Sequence, residues 1–155
     1  MAQYASNTNV SVLNSQAEIQ TILRRFGAKS FGTMEEETET GQRVAYLMFT
    51  VNNLRVQFDV ELPNRIDFKY TETGRDRSEK QIDEKYELAI RRKWRALTLM
   101  VKAKLVGVDE SCATIEKEFM AYVMLPNGKT IGESLVPKLQ EITSGQLQLT
   151  SGGRP

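Results

Sequence analysis

Apolar side chains recur along this chain in two rhythms, one of three to four residues and one of two. The longest helical rhythm runs over residues 78–105, SEKQIDEKYELAIRRKWRALTLMVKAKL, which has neither Gly nor Pro. Ile82, Tyr86, Ala89, Ile90, Trp94, Leu97, Val101 and Leu105 fall on one face, so the spacing predicts a long helix with one apolar flank. Ser78 or Asp76 is placed to cap it, and Gly107 to end or interrupt it. A shorter helix is predicted over 16–26, with Ala17, Ile19, Ile22, Leu23 and Phe26 inward, Asn14 or Ser15 as N-cap and Gly27 just past the end. Arg24 and Arg25 in its last turn complement the helix dipole.

Between the two helices the rhythm is that of strands. Residues 54–62 alternate Leu54, Val56, Phe58, Val60 and Leu62 against Arg55, Gln57, Asp59 and Glu61, giving one dry and one wet face until Pro63 stops the strand. Residues 43–51, RVAYLMFTV, are apolar on both faces, and Asn52-Asn53 joins the two runs as a tight turn. Residues 29–34 form a first strand, and the acidic EEETETGQ after it reads as a solvated hairpin loop. In the connection 63–77, Phe68 and Tyr70 alternate with Asp67 and Lys69, which suggests a short extension of the sheet broken by Gly74.

Beyond the long helix, residues 114–125 read as a short helix, although Tyr122 to Leu125 could instead pair in a hairpin through Pro126-Asn127-Gly128. Thr130 and Glu133 have capping-box spacing, and a last helix bent by Pro137 runs to about Ile142 with Leu135, Val136, Leu139 and Ile142 inward. The polar residues 1–13 are expected to be a mobile arm and 144–155 a disordered tail, leaving one domain over 14–143. The predicted class is α+β, in the order α-β-β-β-α-α-α, with a three-stranded antiparallel meander packed on the long helix.

Charge and composition narrow the chemistry. With 21 Lys plus Arg against 20 Asp plus Glu, the net charge of +1 excludes a uniformly basic coat but not a basic face. The chain has no histidine, which removes the usual base near neutral pH, His-based nucleophile systems and His-ligated zinc. Its one cysteine, Cys112, can form no intramolecular disulfide or thiolate metal cluster and reads as a small buried hydrophobe. No metal, cofactor or catalytic residue is assigned. An N-terminus without an apolar leader and the lack of any long apolar run make a cytoplasmic protein without a membrane segment the expectation.

Two surface constellations remain. Arg65, Lys69, Arg75 and Arg77 are interleaved with Phe68 and Tyr70 ahead of the long helix, and Arg91, Arg92, Arg95 and Lys102 follow on it. Phosphates are held by repeated cations and unpaired bases by flat rings, so these residues predict a site for single-stranded nucleic acid. A homo-oligomer is expected, because a protomer of charge +1 would bind a polyanion weakly alone. The competing reading is a solvated face whose cations pair with Glu79, Asp83, Glu84 and Glu87. The second constellation, Glu35, Glu36, Glu37 and Glu39, predicts a contact for a partner protein. A third possibility is a metal-dependent nuclease using Asp59 and Glu61 with Asp67-Phe68-Lys69.

The segments YASNTNVSV, SQAEIQTILRRFGA, VQFDVELP, RRKWRALTLMVKAKL and EFMAYVMLPNGKTIGE, over about residues 4–140, together resemble a group of small proteins encoded by tailed phages and prophages. That resemblance implies phage origin rather than a mechanism and carries over no catalytic residues; the two functions expected beside it are single-stranded nucleic-acid binding in recombination or replication, and binding of a host protein. More loosely, the order of elements over 29–105 is similar to the β-β-β-α core of single-strand annealing proteins.

Overall fold

The computed structural model describes residues 9–145. The chain forms α1 (Val12–Arg25), β1 (Lys29–Glu37), β2 (Arg43–Val51), β3 (Leu54–Glu61), α2 (Glu79–Asp109), α3 (Ile115–Phe119), α4 (Ile131–Leu135) and α5 (Leu139–Thr143), with short 3-10 turns at Arg65–Phe68, Met120–Tyr122 and Val136–Lys138. The three strands make one antiparallel sheet in the order β1-β2-β3. This is the predicted α+β fold, with an N-terminal helix, a meander, a long central helix and short C-terminal helices.

Local chemistry sets the joints. Asn52 and Asn53 both adopt positive φ, 48° and 61°, which closes a tight hairpin and pairs Val51 with Leu54. That register puts Ala45, Leu47, Phe49 and Val51 on one face with Val56 and Phe58, and all six are buried. The long helix starts at a full capping box: Ser78 accepts from the Gln81 amide, and the Gln81 side chain accepts from the Ser78 amide. Trp94, Leu97, Val101 and Leu105 of α2 then meet Ile19 and Leu23 of α1 and the inner sheet face in a single core. Small polar groups sit where α1 and α2 come close. Ser15 and Thr98 are both fully buried, and the Thr98 hydroxyl donates to the Trp94 carbonyl at 2.8 Å. An apolar-pattern search passes over both residues because neither is apolar.

After α3 the chain folds back along β3. Phe119 is buried with its ring edge-on to Phe49 and Phe58, at 5.7 and 6.1 Å, and Tyr122 stacks on Phe58 at 4.0 Å. The Met124 amide donates to the Arg55 carbonyl, so the segment pairs briefly with the free edge of β3 before turning through Pro126-Asn127-Gly128. Both readings of residues 114–125 thus hold in part, helix first and bridged hairpin second. Thr130 and Glu133 form the predicted capping box of α4, and Pro137 sits in the 3-10 turn that separates α4 from α5. Gly132 lies so close to the Ala121 carbonyl that a Cβ there would stand 2.8 Å from its oxygen, which fixes glycine at that position.

Several expectations are corrected. Helix α1 begins at Val12 with Ser11 as N-cap, so neither Asn14 nor Ser15 caps it and the end of the expected arm is helical; residues 1–8 of that arm and 146–155 of the expected tail lie outside the described residues. Gly107 lies within α2, which continues to Asp109. Glu35, Glu36 and Glu37 belong to β1 and not to a loop. The connection 63–77 holds a 3-10 turn and a turn bridged from Tyr70 to Asp76, with no strand. Leu135, Val136 and Leu139 are exposed, because α4 and α5 are too short and too sharply bent by Pro137 to bury a continuous apolar stripe. Cys112 is exposed as well, in the turn after α2. Among the described residues, no helix is long and apolar enough to cross a membrane.

Candidate functional site

Residues 88–108 of α2 contain Arg91, Arg92, Lys93, Arg95, Lys102 and Lys104 and no acid. The fold supplies carboxylates from neighbouring elements. Glu18 of α1 binds Arg95 at 2.6 Å and Lys102 at 3.2 Å. Burial works against the charged Glu18 carboxyl, but the hydrogen bonds and charges of Arg95 and Lys102 outweigh it and hold the carboxyl below its usual range. Lys104 bonds the carbonyl of Glu118 at 3.0 Å and faces its carboxylate at 3.5 Å. Arg91 stands 3.9 Å from Glu87. The Arg95 side chain keeps 22% of its exposure and Lys102 keeps 51%, so these pairs clamp α1 to α2 while leaving part of the charge at the surface.

The loop residues divide by role. Arg65 is held by Glu79 and Asp83, the latter at 2.8 Å. Arg77 turns inward and donates to the carbonyls of Phe68 and Tyr70. Phe68 is half-buried against Tyr86, with ring centres 6.3 Å apart. Lys69 lies 5.2 Å over the Tyr70 ring, and Tyr70 and Arg75 are exposed. Over residues 63–87, the loop together with the first turns of α2, acids outnumber cations, seven to six, so this end of the molecule carries no net positive charge. Of the ten residues proposed for nucleic acid, the structure therefore uses Arg65, Arg77 and Arg95 as internal fasteners. Lys69, Tyr70 and Arg75 stand at the N-terminal end of α2, whereas Arg91, Arg92, Arg95 and Lys102 lie three to six turns along it. The Asp67 carboxylate accepts from the Asn64 amide as part of a cap, away from the strand that bears Asp59 and Glu61. Among the described residues no group of three or more acids, cysteines or histidines is placed to hold a metal ion.

The acids converge more tightly than their spacing suggested. The pairing of β1 with β2 sets Glu35 and Glu37 on the face of Ala45 and Arg43, and Glu36 on the opposite, outer face with Tyr46. Glu35 bonds Arg43 at 2.8 Å, and Arg43 also donates to the Tyr86 hydroxyl. On the outer face the Tyr46 hydroxyl donates to Glu36. That bond, with burial and the charges of Glu36, Asp59 and Glu133, pushes the phenol up to about 12. Burial raises the Asp59 carboxyl too, a hydrogen bond from Gln57 opposes it, and Glu133 and Glu36 add to the rise. Carboxylates from β1, β3 and α4 thus share one sheet face. Sequence reading found Glu36 as a partner contact and set Asp59 apart from it, with Glu61 in a possible nuclease site. It missed Glu133, because only the return of the chain along β3 brings α4 there.

The tyrosine gives a direct check. One of the five tyrosines should ionise at about pH 12, read by ultraviolet absorbance of tyrosinate. Because the folded value lies above the ordinary 10.0, the bond stabilises the fold fully below pH 10 and is lost as pH rises through about 12. Glu36→Gln should bring that ionisation down toward 10.0; an unchanged high value would show that Glu36 is not its cause.

No family model matches the chain, and no curated protein and no solved structure matches it. The fold defines an α+β protein, and its surface chemistry alone must carry a functional reading.

Proposed function

We propose that this protein is an interaction module that binds a cationic segment of a partner protein through the open edge and outer face of its sheet. The observation that carries this reading is the gathering of Glu36, Asp59 and Glu133 from three distant segments on one side of the sheet, which ends in a strand, β1, whose outer side has no paired strand among the described residues. Strand β1 is nine residues long, lies at the end of the sheet order and exposes Glu35, Glu36, Glu37 and, just beyond it, Glu39. Charge on an edge strand discourages pairing with another copy of itself and favours a basic chain. Holding like charges together raises the energy of the free protein, and a cationic partner relieves it. If the chain is of phage origin, a host protein is the natural partner.

A labelled ten-residue Lys/Arg peptide, followed by fluorescence anisotropy at low salt, tests the reading. Binding is expected, with loss of at least about tenfold when Glu35, Glu36, Glu37 and Glu39 are all changed to Gln, the equivalent of about 1.4 kcal/mol. Equal affinity of the variant and the parent protein would reject it.

Residues 88–108 favour a second reading, single-stranded nucleic acid binding, because six cations share that stretch with no acid of its own. An oligothymidine bound through α2 would lose affinity steeply with rising salt. No binding at ~50 mM salt would remove this second reading and leave the first untouched.

A further inference from the structure

The outer sheet face is hollowed. One cavity of about 340 Å3 lies near the β2–β3 turn, lined by Phe31, Met48 and Met124 with Arg55. A second of about 440 Å3 adjoins it, lined by Asp59 of β3, Tyr122, Glu133 of α4, and Val136 and Pro137 in the turn after it. Gln57 lines both, so the two hollows share a wall and follow β3 as a trough, with the methionines and Arg55 at one end and Asp59 and Glu133 at the other. The far wall is built by the returning C-terminal segment, fixed by the Met124 to Arg55 bond and by the close approach of Gly132 to Ala121. Val136, 64% exposed, adds an apolar group to its acidic end.

We propose that this trough is the seat of an extended amphipathic peptide from a partner protein, with an apolar side chain at the methionine end and a lysine or arginine two to four residues further on. The inference rests on the partner-binding reading above and specifies the ligand's chemistry. A strand advances about 3.3 Å per residue, so the two ends of the trough, centred near Arg55 and Asp59, accept side chains about 7–13 Å apart on an extended chain. Methionine side chains adapt to varied apolar shapes, which suits the first end to more than one residue type. At the second end the cation's aliphatic stem would lie along Tyr122, Val136 and Pro137 while its head meets Asp59 and Glu133. Arg55 at the methionine end repels a cation, so charge fixes the direction in which the peptide lies. Burial and the neighbouring acids already work against the charged form of Asp59, and a cation would relieve both. A second copy of this chain is a poorer occupant, since its acidic β1 edge would be repelled by Asp59 and Glu133.

The test uses the full chain and three labelled ten-residue peptides: one with leucine and arginine four residues apart, one with the arginine alone, one with the leucine alone. The first should bind at least about tenfold tighter than either control. Asp59→Asn with Glu133→Gln, and separately Met48→Asp, should each weaken it about tenfold or more. Glutamine keeps the α4 capping box, so the acid pair can be changed without loss of the cap, and thermal melts confirm the fold of each variant. Glu35→Gln with Glu37→Gln should change affinity less than about twofold. Should that last pair weaken binding while the trough variants do not, the partner-binding reading stands on the β1 edge and the trough is wrong. Failure of all three peptides to bind would overturn both.

Discussion

Trp94→Ala is expected to lower stability by about 3–5 kcal/mol, the largest single loss in α2. Trp94 is 1% exposed and joins α1, the sheet and the long helix in one core. Truncation would remove the contacts of a whole indole and leave a cavity that the rigid α2 and the paired strands cannot close. A loss of that size corresponds to a fall in Tm of about 10 °C or more, measured by circular dichroism. Trp94→Phe should cost markedly less. It keeps a ring in place and removes an indole N–H that has no acceptor in the core. Equal losses for the two variants would mean that the site depends on the indole's shape rather than on filled volume.

Phe119→Ala should cost a similar ~3–5 kcal/mol and should also abolish peptide binding. Its buried ring is set edge-on to Phe49 and Phe58, and aromatic pairs in that arrangement add about 0.5–1.5 kcal/mol beyond their buried area. It is also the anchor from which the chain turns back along β3, ahead of Tyr122, the Met124 bridge and α4. Without it the C-terminal segment loses its hold on the sheet, and with it the wall that carries Glu133 and Val136. Hydrogen exchange would then show loss of protection over residues 123–135 before the β2–β3 pair opens. Uniform loss of protection across the chain would instead make Phe119 part of a single cooperative unit.

The framework was legible in the chain because its rhythm and its punctuation agree. Alternation over 54–62, the Asn52-Asn53 pair and the unbroken apolar flank of 78–105 each determine local geometry without help from distant residues. Where the outcome depended on tertiary contact, the reading stopped short. Ser11 capped α1 although Asn14 and Ser15 have equal propensity, because Ser15 was needed in the seam with Thr98. Glu35 to Glu37 look like loop residues, yet β1 extends through them because Glu35 pairs with Arg43 and Glu36 with Tyr46. The cations of α2 were visible as a stretch, but their partners Glu18 and Glu118 lie 77 and 14 residues from Arg95 and Lys104. No spacing rule connects such residues. For the same reason the acidic face was read only as the run in β1, without Asp59 and Glu133.

The same physics separates structural charges from available ones. An ion pair such as Arg95 with Glu18, with both side chains less than half exposed, ties α1 to α2 and neutralises part of the charge within the fold. Glu36, Asp59 and Glu133 accept hydrogen bonds from Tyr46, Gln57 and the Thr130 amide, but no cation among the described residues is paired with them. That contrast directs attention to the outer sheet face.

Amide chemical-shift mapping of the 15N-labelled protein, titrated in parallel with the leucine–arginine peptide and with oligothymidine, separates the outer sheet face from α2 as the binding surface. The peptide should perturb the amides of β1 to β3 around Gln57 and Asp59 together with those of α4, and leave residues 88–108 unchanged. Perturbation confined to residues 88–108 by the oligonucleotide, with no response of the sheet to the peptide, would contradict the partner-binding reading.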